Sequence, residues 1–449
     1  MHRSIFAVLF GTFTLRFSTG LTGTLLFYYL ANLPAHGGPE VSAFVVGLLT
    51  AAYFIAELVL SPIFGVLSDR LGAHRVMQWG PFFGATAVVL TGITTSLPLL
   101  ALTRLLEGAA GAASIPSILG YIAHATTGDE PLRGRTVARF EAATLAGLGA
   151  GVVAAGVLYE LIGREAFFLN AGVYAVSLLI YRYGVSELPS EVEPAVGEGV
   201  ALDGVHRSGF DLDRYRRVLS SASVWLLAPT WIALNAVVGA WTTQSVFQLV
   251  KEPQPGFENQ LLMGDLDPSQ VSVAMAAALL IFFGGLLYWG NKFKRFRRTT
   301  IIGIGVFGGL LMMCAIYVLN HSQAWGLVVQ APSVLVLVAG LFVLAGATPA
   351  ALGLLADISE SHPADRGVVM GLYSVFLALG QITGALASGA AAEWRGIDGL
   401  LAASLVLLII ALLPLNRLRQ SEHLVGVADH ARHVGAPSAE PSREALPER

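Results

Sequence analysis

Long apolar runs separated by short polar turns repeat along almost the whole chain. About 20 apolar residues in a helix cross the roughly 30 Å hydrocarbon core of a bilayer, and most of the runs reach that length. The pattern therefore predicts twelve membrane-spanning helices. Their approximate bounds are 5–32, 42–66, 76–96, 98–124, 135–159, 165–184, 222–249, 270–290, 300–320, 326–357, 366–392 and 397–416.

Two stretches break this pattern. Residues 185–221 carry Pro and acidic residues and then a basic cluster, which predicts a cytoplasmic linker whose later part lies on the membrane surface as a short amphipathic helix. Residues 417–449 are rich in Pro, Ala and charge, which predicts a disordered cytoplasmic tail. The remaining chain divides into a first six-helix half at 1–184 and a second at 222–416.

The two halves resemble each other in sequence when the first is shifted by 233 residues. One constant shift aligns Pro, Arg and Glu as well as Gly, which chance matches in a glycine-rich chain do not explain. The repeat predicts an all-α membrane protein with two pseudo-symmetric halves, the build of many transporters. The matched pairs are Pro116 with Pro349, Gly120 with Gly353, Arg133 with Arg366, Gly134 with Gly367, Gly147 with Gly380, Gly151 with Gly384, Gly156 with Gly389, Glu160 with Glu393 and Gly163 with Gly396.

Composition supports a membrane protein that crosses the bilayer many times. Hydrophobic residues make up 55% of the 449 residues and charged residues only 13%, about half the charged share of a soluble domain. The single Cys314 excludes an intrachain disulfide and a cysteine metal cluster. No phosphate-binding loop with Gly-Lys-Ser/Thr is present, which disfavours an ATP-driven pump. We expect no cofactor, no metal and no nucleic-acid partner, and we do not expect an enzyme.

The distribution of basic residues predicts the orientation of the chain in the membrane. With the N-terminus inside, Arg16 and Arg104 lie in the membrane and Arg164, Lys251 and Arg395 outside. The other 22 of the 27 Lys and Arg residues then face the cytoplasm. The sequence therefore predicts cytoplasmic N- and C-termini and a place in the plasma membrane.

The polar turn between the second and third helices reads GVLSDRLGAHR, from Gly65 to Arg75. It resembles the loop signature of the major facilitator superfamily, G-x-x-x-D-R-x-G-x-[RK]-[RK], with His74 at a position that is usually basic. The resemblance implies twelve helices and transport by alternating access. It also implies that the motif acts as a conformational switch in which the Asp contacts the start of the eleventh helix. The switch residues would be Gly65, Asp69, Arg70, Gly72 and Arg75.

Glycines recur at the same spacing in the fifth and eleventh helices. Small residues about one turn apart form a groove in which another helix packs closely. In the fifth helix the set resembles the antiporter signature of the same family, although Val152 stands where that signature has Pro. The predicted helix-packing residues are Gly147, Gly151, Gly156, Gly380, Gly384 and Gly389.

The fourth helix begins with Arg104 and Glu107, three residues apart and therefore on one face. This stretch resembles the family signature R-x-x-[QG]-G, with Glu107 at the usual Gln. The resemblance implies that Arg104 lies in the transport cavity and takes part in proton coupling, and Glu107 is then the leading candidate for the proton-carrying acid. The alternative is a local ion pair that only secures packing.

Arg16 and Glu57 are the other charges predicted within the membrane. At about 1.5 Å per helical residue, Arg16 lies roughly 16 Å and Glu57 roughly 14 Å from the cytoplasmic ends of their helices. Charges inside a membrane face the protein interior or an aqueous cavity. Similar depth makes the two residues candidate partners, either for proton coupling or as a structural ion pair.

Several aromatic and amide side chains on the helices that line the cavity of this fold are candidate substrate contacts. The alternative for each is packing in the core or exposure to lipid. The candidates are Tyr28, Tyr53, Trp231, Asn235, Gln244 and Gln381.

These observations predict a secondary active transporter, most simply a proton-coupled exporter of a small amphipathic molecule. A flippase or facilitator for a lipid-linked or sugar-like substrate remains open. So does a non-transporting receptor or assembly factor with the same fold, although such a protein has no need of costly charges in the membrane. The expected partners are a small-molecule substrate, protons and the lipid bilayer, and we expect a monomer.

Overall fold

A computed structural model describes residues 2–187, 222–252, 255–264, 266–293, 295–360 and 366–420. The secondary structure of these residues is helical, with short turns between helices. The α-helices are α1 (His2–Ala31), α2 (Ala43–Leu71), α3 (Ala73–Val76), α4 (Trp79–Ile93), α5 (Leu97–Ala125), α6 (Glu130–Ile162), α7 (Ala166–Leu179), α8 (Ala222–Val250), α9 (Pro268–Gly290), α10 (Arg298–Asn320), α11 (Leu327–Leu344), α12 (Ala347–Glu360) and α13 (Arg366–Leu412).

The predicted helices agree with these elements with one correction. The tenth predicted helix, 326–357, is two helices, because the chain turns between Leu344 and Ala347. The eleventh and twelfth predicted helices both lie within α13, and the backbone leaves the helical conformation between them at Arg395 and Gly396, as predicted. Residues 415–420 are helical, with Leu418 buried, so the start of the predicted tail is ordered. Val185 is buried as well, so the start of the predicted linker packs on the first half. The rest of the linker and of the tail lies outside the described residues.

Two long helical segments turn back on themselves at glycines. Ten of the described segments are long and apolar enough to span a membrane, and two of them, Glu130–Gly184 and Ser374–Gln420, each hold two crossings. The turns lie at Gly163 (φ 58°, ψ −136°) and Gly396 (φ 59°, ψ −135°), a conformation that favours glycine. These two glycines are a matched pair of the sequence repeat. The described part of the chain thus contains twelve crossings.

Side chains at the helix starts satisfy backbone N–H groups that have no partner within the helix. The Ser42 hydroxyl accepts a hydrogen bond from the N–H of Val45 at the start of α2 (3.4 Å). The Asp129 carboxylate accepts one from the N–H of Leu132 at the start of α6 (2.9 Å). Caps of this kind fix where each helix begins.

The hydrophobic core forms two large clusters, one in each half. The first is built from α1 to α7, and the second from α8 to α13. The first cluster also includes Val246, Phe247, Val271 and Ala392 of the second half. The two halves therefore share core packing at one end of the bundle.

The repeated glycines let helices meet backbone to backbone. Gly147 and Gly151 lie against α1, and a Cβ at Gly151 would overlap the Phe17 carbonyl oxygen. Gly380 and Gly384 lie in the same way against α8. The third glycine of each set crosses between the halves: Gly156 lies against α9, and Gly389 lies against α2.

The halves are joined at the end of the bundle where α2 and α9 begin, which we call the closed end. Several hydrogen bonds and one ion pair join the halves there. Toward the opposite end, which carries Asp69, the exposed positions on α2 become frequent and Gly65 has no neighbour within 4 Å of an added Cβ. The described contacts of α2 with the second half therefore lie away from the Asp69 end, which we call the open end.

Candidate functional site

A charged pair is buried in the interior of the first half. The Arg104 guanidinium and the Glu107 carboxylate, one turn apart on α5, form an ion pair and are only 5% and 3% exposed. The Arg104 guanidinium also lies over the ring of Tyr53 on α2, 5.8 Å from its centroid. Since the charge of Glu107 is already neutralised by Arg104, this acid has a structural partner in the state observed.

Glu57 on α2 has a different environment. Its carboxylate lies against Gly111 of α5, and its side chain is only partly buried. The exposed positions Ile55 and Val59, which face lipid, lie about half a turn away on the helix. The remaining exposure of Glu57 therefore faces the interior of the bundle.

Arg16 is buried on α1, with its Cβ against Gly147 of α6. Its charge lies close enough to act on both Glu57 and Tyr53. Arg16 and Glu57 are both described, and no hydrogen bond or ion pair joins their side chains. The depth estimate from the sequence placed both in the interior but did not give the distance across the bundle. The direct pair between them stays a prediction for another state.

Tyr174 on α7 completes this polar cluster, and the sequence gave no reason to select it. Its ring packs against Gly84 of α4, and its hydroxyl group lies within reach of the charges of Arg16 and Arg104. A single Tyr in a long apolar run resembles an ordinary core residue. Only the convergence of four helices shows its position.

The second half contributes neutral groups. The Asn235 amide on α8 donates to the Trp231 carbonyl one turn earlier (2.9 Å). The Gln381 side chain on α13 lies against Gly239 of α8. Asn235 and Gln381 each keep 9% of their surface exposed, and Trp231 keeps 4%. The interior is therefore charged on the side of the first half and uncharged at these positions of the second.

Tyr28 and Gln244, two of the candidate substrate contacts, lie elsewhere. The Tyr28 hydroxyl donates to the Pro268 carbonyl (3.2 Å), and the Gln244 amide donates to the Ala43 carbonyl (2.9 Å). Both side chains are fully buried at the closed end, where they join one half to the other. In the state observed they hold the halves together and do not line the cavity.

The Asp69 motif lies at the open end. Asp69 and Arg70 are exposed, and Gly72 ends α2 with a φ of 91°. The predicted hydrogen bond to Asp69 from backbone N–H groups near residues 368–369 falls on residues whose surroundings are not described, so it stays a prediction. Arg75 donates a hydrogen bond to Glu187 just after α7 (3.3 Å), and this bond and the Arg75 charge lower the pKa of the Glu187 carboxyl.

His74 departs from the basic residue of the signature because its site is enclosed. The side chain is 7% exposed, and its Nε2 lies 2.9 Å from the Tyr181 carbonyl oxygen. The Gln78 side chain donates a hydrogen bond to the His74 carbonyl oxygen (2.8 Å). The short imidazole side chain fits this enclosed site, and its Nδ1 lies 3.7 Å from the Glu187 carboxylate.

Among the described residues, no group of three or more His, Cys, Asp or Glu side chains is placed to hold a metal ion. The interior instead offers one ion-paired acid, one accessible acid, two guanidinium groups and several aromatic rings. Such a set can bind an organic ion with an apolar body, and it can exchange a proton.

Comparison with known proteins connects this geometry to a family. The model of the Major Facilitator Superfamily matches residues 8–264 and 255–440. The chain is 21% identical over 397 residues to the quinolone resistance protein NorA of Staphylococcus aureus (strain MRSA252), covering 87% of this chain and 90% of NorA. It is 24% identical over 353 residues to multidrug resistance protein 1 of Bacillus subtilis (strain 168), covering 78% and 81% of the two chains.

The fold is also similar to that of a solved transporter. The crystal structure of the nucleoside transporter NupG superimposes with a TM-score of 0.68 over 93% of this chain and 98% of NupG. At 14% sequence identity this likeness concerns the fold alone.

Proposed function

This chain belongs to the Major Facilitator Superfamily, and we propose that it exports a small amphipathic molecule in exchange for protons. The family makes it a membrane transporter. Export of drug-like compounds is supported by the similarity to two proteins named for quinolone and multidrug resistance. The motif at Arg104 and the glycine set of α6 resemble that branch of the family in part, with Glu107 at the usual Gln and Val152 at the usual Pro.

The observation that carries the proposal is the environment of Glu57. This acid is partly exposed toward the interior, lacks an ion pair with a described residue, and lies on the same helix face as Tyr53. An accessible carboxylate beside an aromatic ring is suited to a ligand that combines positive charge with apolar surface. The neutral groups of the second half then contact the uncharged part of the ligand.

The same carboxylate provides a route for coupling. Desolvation favours the neutral form of an acid, whereas a nearby Arg favours the charged form. A proton and a cationic substrate therefore compete for Glu57, and the position of Arg16 decides between them. Glu107, the leading candidate in the sequence, is held by Arg104, so we assign the exchange of the proton to Glu57 and a positioning role to Glu107.

We place the transporter in the plasma membrane as a monomer with both termini in the cytoplasm, as the basic residues predict. In that orientation the closed end faces outward and the Asp69 end faces the cytoplasm. A cytoplasm-facing cavity is the state that loads a substrate for export.

Transport in proteoliposomes tests the proposal. With only a pH gradient imposed, the wild-type protein should concentrate ethidium, a cationic amphipathic dye, and should not concentrate the neutral nucleoside uridine. The Glu57→Gln variant should lose transport driven by the gradient. Accumulation of uridine without ethidium, or unchanged ethidium accumulation in a well-folded Glu57→Gln variant, would contradict it.

A further inference from the structure

Glu160 and Glu393 form matched contacts between the halves. They are a pair of the sequence repeat: Glu160 lies near the end of α6, and Glu393 lies just before the turn at Gly396 in α13. The Glu160 Oε2 accepts a hydrogen bond from the N–H of Ser269, in the first turn of α9 (2.9 Å). The Glu393 Oε2 accepts one from the N–H of Phe44, in the first turn of α2 (3.3 Å). Each carboxylate therefore caps a helix of the other half.

Each capped helix start is held by a second bond from the same opposing half. The Pro268 carbonyl, which begins α9, accepts from the Tyr28 hydroxyl of the first half (3.2 Å). The Ala43 carbonyl, which begins α2, accepts from the Gln244 amide of the second half (2.9 Å). Each of the two helix starts is therefore bound by one carboxylate acceptor and one side-chain donor from the other half.

The packing glycines bring these groups within reach. Gly156 lies directly against the Pro268 carbonyl, and its N–H donates to the Ser272 hydroxyl (2.9 Å). Gly389 lies against Ala43: a Cβ added to the glycine would be 3.0 Å from the Ala43 carbonyl oxygen. The geometry is present twice, once in each half.

We propose that Glu160 and Glu393 are two matched locks that hold this end of the transporter closed by capping α9 and α2, and that both must release when it opens. The N–H groups of a first helical turn have no partner within the helix, and the helix dipole favours an anion there. When the halves separate, water replaces the carboxylates. Because both acids are exposed to solvent, each hydrogen bond is weak, and a contact that must break in every transport cycle has to be weak.

Distances between spin labels measure the opening of this end. In a Cys314→Ser background, labels at Ala35→Cys and Asn259→Cys lie on exposed positions of one loop from each half. Double electron–electron resonance on the full-length protein in lipid nanodiscs gives the populations of short and long distances. Replacing a carboxylate cap by Ala removes the acceptor, so each of Glu160→Ala and Glu393→Ala should raise the ratio of long to short distances roughly threefold, and the double variant roughly tenfold. The corresponding Gln variants keep an acceptor without charge and should give intermediate shifts.

Glu165→Ala is the matched control. This acid lies near the same end, but its ion pair is with the neighbouring Arg164 (3.7 Å), within one half. It should leave the distance distribution unchanged. An unchanged distribution in the double variant, or an equal shift in Glu165→Ala, would overturn the proposal. If the double variant is not monodisperse, the two single variants decide, and the absence of a shift in both overturns it.

Discussion

Arg16 and Asn235 occupy equivalent positions in the two halves. The Cβ of Arg16 lies against Gly147, and the Cβ of Asn235 lies against Gly380, the partner of Gly147 in the repeat. One helical turn further, Gly151 lies against the Phe17 carbonyl and Gly384 lies against the Ala236 carbonyl in the same way. One backbone arrangement thus carries a charge in the first half and a neutral amide in the second.

We expect Arg16→Asn to lower transport about tenfold or more, because it removes the cation that acts on Glu57 in the interior. Asn235→Ala should lower transport only a few-fold, since the Asn235 amide bonds to the Trp231 carbonyl of its own helix. Initial rates of dye accumulation in proteoliposomes compare the two. Equal losses would show that the charge difference between the halves has no role.

We expect Glu57→Gln to abolish accumulation driven by a pH gradient but to preserve exchange of substrate across the membrane in the absence of a gradient. The neutral amide can still make hydrogen bonds in the cavity but cannot carry a proton. Parallel assays of gradient-driven accumulation and of counterflow distinguish coupling from binding. A Glu57→Gln variant that still concentrates dye would assign the proton to another acid.

Glu107→Gln should instead act on stability. Breaking a buried ion pair leaves an unpaired charge and costs about 3–5 kcal/mol, whereas removing both charges costs less. Thermal unfolding of Glu107→Gln should occur at lower temperature than that of the double variant Arg104→Gln, Glu107→Gln. If the losses of the single variants Arg104→Gln and Glu107→Gln simply add in the double variant, the ion pair contributes no coupling energy.

The fold was predictable because most helices follow from their own stretch of sequence, an apolar run long enough to cross a bilayer. The repeat at Gly163 and Gly396 was visible for a similar reason, since a left-handed turn requires glycine in both halves. The break after Leu344 was missed because the run stays apolar and uncharged across it, although Gly346 and Pro349 mark the break in the sequence. A pattern of hydrophobicity does not show a turn inside such a run.

The site was less predictable because it depends on position between helices. The helix face and depth of Arg16 and Glu57 follow from counting residues, but their separation does not. Tyr28 and Gln244 lie on the expected helices, yet near the end where the halves meet. The same sequence adopts every state of the transport cycle, so the sequence does not show which end is closed in this structure.

Gly151→Ala and Gly384→Ala should each destabilise the protein by about 1–3 kcal/mol, the usual range for overpacking. An added Cβ would overlap the Phe17 carbonyl in the first case and the Ala236 carbonyl in the second, and backbone cannot move aside easily. Gly172→Ala on α7 is the control, because nothing lies within 4 Å of an added Cβ there. Thermal unfolding in detergent measures all three, and equal unfolding temperatures would contradict close helix packing at these glycines.

Asp69→Asn should shift the protein toward the state seen here and lower transport about tenfold. In this structure Asp69 is exposed and makes no hydrogen bond to another described residue, so its removal costs the observed state nothing. We propose that its carboxylate binds the start of α13 when the open end closes. The helix dipole at that start favours an anion by about 0.3–1 kcal/mol, or somewhat more if the anion is partly buried.

The Ala35 and Asn259 spin labels should then report fewer long distances in Asp69→Asn, the opposite of the shift expected for Glu160→Ala. Glu141→Gln is the control: it changes an exposed acid on α6 and should leave the distances unchanged. Wild-type transport and an unchanged distance distribution in Asp69→Asn would show that this acid does not bias the two states.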